Sequence, residues 1–139
     1  MGNERSDGCR PWSVVVVDDE EDLRDLMEVI LQVDPRFDPV GLAATGHEAV
    51  RLVRETHPDA VILDLQMPGL DGLGAVRVIR AENPDICIMV LSAFPDPYTL
   101  ADVIELGADM YLNKAKAFAE LLPSLAATCE MRRLAFHDS

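Results

Sequence analysis

The chain has 139 residues, 49% hydrophobic and 27% charged, with 12 Lys and Arg against 25 Asp and Glu. That length holds one domain and no second core, and the balance excludes disorder over most of the chain. A net charge of −13 disfavours nucleic acid or an anionic membrane as a partner. The three cysteines, Cys9, Cys87 and Cys129, form no C-x-x-C pair and have no histidine spaced to complete a zinc site. This usage fits a reducing, cytoplasmic compartment. No stretch approaches the roughly 20 apolar residues of a membrane span.

After a polar tail (1–12), Ser13-Val14-Val15-Val16-Val17 reads as a strand buried on both faces, stopped by Asp18 and Asp19. From Glu20, Leu23, Leu26, Met27, Ile30 and Leu31 form one stripe of an amphipathic helix that runs to about Val33. Phe37 to Ala43 is a weaker strand, since Pro39 cannot donate to a ladder and suits a sheet edge or a strand end. A second helix enters at Thr45-Gly46-His47-Glu48 and ends at His57-Pro58. The strand Ala60 to Leu63 closes at Asp64, and the turn-rich loop Gln66 to Gly72 leads to a helix carrying Leu73, Val76 and Ile79. Next comes the strand Ile86 to Leu91, closed by Ser92. A fourth helix is expected to start at Pro97 with Asp96 as its cap, and to end at Gly107. Met110-Tyr111-Leu112 then delivers Asn113-Lys114. The last helix is expected to begin near Ala119, which leaves Pro123 in its first turn, and to fade after 134 into a tail (135–139).

Five strands alternating with five helices predict an α/β fold over 13–134, a five-stranded parallel sheet covered on both faces. Ligands of such sheets bind at the carboxyl ends of the strands, where Asp18, Asp19, Asp64, Ser92 and Lys114 converge. Three carboxylates together repel one another, so a hard cation is needed, and Mg²⁺ suits an oxygen-only donor set. A carboxylate beside Mg²⁺ can attack phosphorus if cationic and hydroxyl groups take up the charge. Lys114 is one of only two lysines among the twelve basic residues, and a compact ammonium fits a single phosphate oxygen. Asp18 or Asp19 alone could instead cap a helix, Ser92 could cap a turn, and Tyr111 could be a plain packed aromatic. His47, His57 and His137 read as solvated or capping residues, and Cys87 and Cys129 as small core residues.

Four segments together resemble a response regulator receiver domain: Val14-Val15-Val16-Val17-Asp18-Asp19, His57 through Gly72, Leu91-Ser92-Ala93, and Gly107 through Lys114. The resemblance implies a doubly wound, flavodoxin-like sheet of order 2-1-3-4-5. It implies that Asp64 accepts phosphate from a histidine kinase or phosphotransfer protein, and that Asp18, Asp19, Asp64 and the Gln66 backbone carbonyl hold Mg²⁺. Ser92 and Lys114 would read the phosphate, and Ser92 with Tyr111 would form the switch. The side chains of Gln66 and Phe94 would tune dephosphorylation, and the face of the fourth and fifth helices with the last strand would change partner or homodimer preference. Such a domain is a switch rather than a turnover enzyme. The rivals are a small Mg²⁺-dependent phosphatase and a receiver-like module that works without phosphorylation. Two departures stand out. Ala115 replaces the usual proline after the lysine, which predicts an altered Lys114 loop. Phe94-Pro95-Asp96-Pro97 is unusually proline-rich, which predicts a shifted or shortened fourth helix.

Overall fold

Val14, Val15, Val16 and Val17 are each at most 1% exposed, which explains why their strand carries no polar alternation. Val15 and Val17 face one apolar layer, while Val14 and Val16 face the other. The computed structural model describes residues 10–65, 72–92 and 100–137, and within α5 and at the start of α4 it leaves the side chains of 100, 115–118 and 133–137 undescribed. The strands are β1 (Trp12–Val17), β2 (Phe37–Ala43), β3 (Ala60–Asp64), β4 (Cys87–Ser92) and β5 (Met110–Asn113). The helices are α1 (Glu21–Gln32), α2 (Gly46–Thr56), α3 (Gly72–Glu82), α4 (Leu100–Glu105) and α5 (Lys114–His137). All neighbouring strands pair in parallel, in the order β2-β1-β3-β4-β5. This is the predicted doubly wound sheet.

The amphipathic helices cover both faces. Met27 and Leu31 of α1 and Leu121, Leu125 and Cys129 of α5 fill one layer, while Ala49, Val50 and Val53 of α2, Ala75, Val76 and Ile79 of α3 and Val103 of α4 fill the other. The edge assignment of Phe37–Ala43 is met. The register steps from Val14↔Pro39 to Val15↔Gly41, so a bulge sits beside the proline that cannot donate. Local capping matches too. Thr45 accepts from the Glu48 N–H, and His57 ends α2 in the left-handed conformation at φ 48°.

Four expectations change at element ends. β1 begins at Trp12, because its N–H donates to Arg36 and its ring packs 5.6 Å from that of Phe37. Gly72, expected in the turn, is the first residue of α3. The last helix starts at Lys114 rather than near Ala119, so Pro123 is its tenth residue, well inside it. Ala115, Ala117 and Ala119 are the strongest helix formers available, and the packing of Leu121, Leu125 and Cys129 outweighs one lost hydrogen bond. α5 also continues to His137, into the stretch expected to be a tail. The expected start of the fourth helix at Asp96-Pro97 lies outside the described residues.

At the amino ends of the strands, Asp109 accepts Arg80 at 2.7 Å and Arg132 at 3.0 Å, as well as the Ile88 N–H at 2.8 Å. Arg80 also donates to the carbonyls of Asn83, Ile86 and Gly107. These bonds fasten α3, β4, the α4–β5 corner and α5 to one another. Gly107 is required at that corner, since its φ is +118° and an added Cβ would lie 2.7 Å from Arg80 Cγ.

Candidate functional site

Parallel strands of matching length bring their carboxyl ends to one rim. Asp18 follows β1 directly, Asp64 is the last residue of β3, Ser92 ends β4, and Lys114 follows β5. Asp64 pairs with Leu91 across the β3–β4 ladder, so Ser92 lies one residue beyond it on the neighbouring strand. Carboxylate oxygens of Asp18, Asp19 and Asp64 lie within 4.8 Å of one another. Asp18, Asp64 and Ser92 are buried, whereas Asp19 is exposed.

Lys114 supplies the counter-charge. Its Nζ donates to Asp64 Oδ2 at 3.0 Å, and it lies 3.2 Å from Asp18 Oδ2 and 3.8 Å from Glu20 Oε1. Burial pulls the pKa of this ammonium down, but the hydrogen bonds and charges of Asp64 and Asp18 outweigh that and hold it above the ordinary lysine value. It is therefore a cation throughout the neutral range. Lys114 is the first residue of α5, with no loop between β5 and the helix.

Neither aspartate of the acidic pair caps α1. Glu20 occupies the cap position and makes no side-chain capping bond, while Asp18 Oδ1 accepts the Glu20 N–H at 2.9 Å. Asp18 Oδ2 is buried and receives no directed hydrogen bond among the described residues, despite the nearby ammonium. Three carboxylates within 4.8 Å of one another, two of them buried and with the Lys114 ammonium beside them, fit a hard, oxygen-preferring cation such as Mg²⁺.

Tyr111 lies on β5, half-buried against the layer that contains Val90, Val103 and Ala108. Gln66 and Phe94 lie outside the described residues. Two residues that sequence reasoning missed also belong to the rim. Glu20 faces Lys114, and Arg24 of α1 donates from Nη1 to the Asp18 backbone carbonyl at 2.9 Å. A signal for Arg24 existed in its position, because a cation in an acidic first helical turn opposes the helix dipole.

The family model for the response regulator receiver domain matches residues 14–126. The chain belongs to this family. It is 38% identical over 114 residues to the transcriptional regulatory protein LiaR of Bacillus subtilis (strain 168), covering 82% of this chain and 54% of that protein. It is equally identical, over 114 residues, to protein-glutamate methylesterase/protein-glutamine glutaminase 2 of Anaeromyxobacter dehalogenans (strain 2CP-C), covering 82% of this chain and 33% of that protein. The receiver domain thus spans about half or less of these curated relatives. Among solved structures, a two-component response regulator of the LuxR family from Aurantimonas sp. SI85-9A1 superposes with a TM-score of 0.81 at 31% identity, over 88% of this chain and 87% of that one. No helix among the described residues is long and apolar enough to cross a membrane.

Proposed function

We propose that this receiver domain is a phosphorylation-controlled switch in which Asp64 is the phosphoacceptor. The observation that carries this reading is the meeting of two buried carboxylates, Asp64 and Asp18, with one ammonium at the strand ends, 3.0 and 3.2 Å from Lys114. An Asp64 oxygen attacks the phosphorus of a phosphohistidine on a sensor kinase or phosphotransfer protein in the cytoplasm. The P–N bond breaks as the P–O bond forms, and the leaving imidazole takes up a proton. Asp18, Asp19 and Asp64, with the Gln66 carbonyl, are the residues to hold Mg²⁺. When bound, it supplies the charge neutralisation that lets an anionic phosphoryl group approach this acidic rim. Lys114 leaves its ion pair with Asp64 to meet a phosphoryl oxygen, and the Ser92 hydroxyl donates to another. Tyr111 follows Ser92, and the α4–β5–α5 face changes its preference for a partner or for a second copy. Gln66 and Phe94 set access of water to the acyl phosphate.

The domain is a switch without turnover chemistry of its own. Relatives named as a transcriptional regulator and as a methylesterase match this same unit, which supports a signalling input common to different outputs. Intact mass after incubation with acetyl phosphate and Mg²⁺ tests the reading. One added phosphoryl group is expected, lost in Asp64→Asn and on chelation of Mg²⁺. No adduct with either a small phosphodonor or a phosphohistidine protein would overturn it.

A further inference from the structure

Asp18 is held at every polar atom but one. Its N–H donates to the Ala43 carbonyl at 3.0 Å, its Oδ1 accepts from the Glu20 N–H, and its carbonyl accepts from Arg24 Nη1 at 2.9 Å. Oδ2, which takes no directed hydrogen bond and lies 3.2 Å from Lys114 Nζ, faces the acidic cluster. Asp19 is the opposite case. Its carboxylate is exposed and accepts no hydrogen bond from any described residue, so its direction depends on the backbone that carries it. That backbone is the Asp18–Asp19 peptide, whose carbonyl oxygen is the atom gripped by Arg24. The guanidinium reaches it because Arg24 follows Glu20 by four residues. Its N–H donates to the Glu20 carbonyl at 3.0 Å, and its side chain points back toward the start of α1. We propose that Arg24 is a positioning residue of the cation site, fixing the Asp18–Asp19 peptide so that both carboxylates present to one divalent ion. The proposal rests on the reading of the rim as a Mg²⁺ site.

The sign of the effect separates this role from plain electrostatics. By Coulomb's law alone, removing a cation beside a Mg²⁺ site tightens Mg²⁺ binding. Loss of a group that orients the ligands loosens it, by about tenfold at the lower end of such effects. The test is calorimetric titration of Mg²⁺ into the full chain, with the Mg²⁺-induced rise in melting temperature as a second readout. Arg24→Met and the more polar Arg24→Gln are expected to weaken Mg²⁺ binding about tenfold. Arg24→Lys, which keeps the charge and one donor, should fall between these and wild type. Arg51→Met, on the exposed side of α2 where Arg51 pairs with Glu48 and Glu55, should match wild type. Unchanged or tighter binding in the neutral variants overturns the proposal, as does a lowered melting temperature with no change in affinity. If neither neutral variant folds, wild-type affinity in Arg24→Lys overturns it. A wild-type chain that binds no Mg²⁺ removes the underlying reading as well, so the two failures are told apart.

Discussion

Gly72→Ala sets helix propensity against packing at Asp64, the proposed phosphoacceptor. Alanine in place of glycine is favourable within a helix by about 1 kcal/mol, less at a first position, so local propensity predicts a small gain. The structure predicts a loss. A Cβ at Gly72 would lie 2.6 Å from the Asp64 carbonyl oxygen and 2.9 Å from the Leu65 carbonyl carbon, atoms of the backbone that no rotamer change can move. Leu65 Cα lies closer still, so reaching an ordinary contact distance requires a shift of about 1 Å by the start of α3 or by the Asp64–Leu65 turn. Overpacking of this kind costs about 1–3 kcal/mol, which leaves a net destabilisation of about 1 kcal/mol once propensity is credited. Urea unfolding followed by Trp12, the single and buried tryptophan, measures it directly. The melting temperature should fall by about 3–4 °C for a chain of this length. Since the shift falls on Asp64 itself, phosphorylation should also slow by at least about tenfold, given that misplacements near 1 Å can cost a hundredfold. A variant as stable as wild type and phosphorylated at the same rate would refute the close approach.

Two further outcomes follow from groups already described. Lys114→Met leaves buried carboxylates without their ammonium and should cost about 2–3 kcal/mol without Mg²⁺, with Mg²⁺ raising the melting temperature of the variant more than that of wild type. Because folding raises the Lys114 pKa, its stabilisation is complete below the ordinary lysine value of about 10.4 and is lost as pH rises through the folded value; urea midpoints should therefore fall above that pH in wild type and less steeply in Lys114→Met. Pro123→Ala restores a donor for the Ala119 carbonyl at an exposed position in α5 and should stabilise by about 1–3 kcal/mol in chemical denaturation; a loss of stability would argue that the helix is broken there.

Those elements whose pattern is local were legible in the sequence. The valine run of β1 announced burial on both faces, Pro39 announced an edge, and strands closing at Asp64 and Ser92 announced the rim. The start of α5 was misread because proline was weighed by a rule about isolated helices. Leu121, Leu125 and Cys129 pack against the sheet, and this tertiary burial tolerates a proline in the interior. Trp12 was read as tail because its partner, Phe37, is remote in sequence and becomes a neighbour only through β1–β2 pairing. Glu20 and Arg24 were missed for a related reason. Only the return of the chain through β5 places Lys114 against Glu20, whereas Arg24 holds a carbonyl six residues before it and shows in the sequence only as a cation in an acidic first turn.

The two ends of the sheet handle charge in opposite ways, and this accounts for where the chemistry sits. At the amino end, Arg80 and Arg132 share Asp109, and the surplus positive charge is absorbed by carbonyls of Asn83, Pro84, Ile86 and Gly107. Charged groups there are paired side by side within the protein, so that end fastens helices to the sheet. At the carboxyl end, Asp18, Glu20 and Asp64 share one ammonium, Asp19 stands beside them, and Arg24 is spent on a backbone carbonyl. For the two buried carboxylates, Asp18 and Asp64, negative charge in excess of one ammonium is costly, and an external cation lowers that cost. The same excess repels a phosphoryl dianion until that cation arrives. On the proposed reading, affinity for Mg²⁺ and a requirement for Mg²⁺ in phosphoryl transfer would be two consequences of one imbalance, and Lys114, poised between Asp18 and Asp64, would be the internal group to yield when either is satisfied.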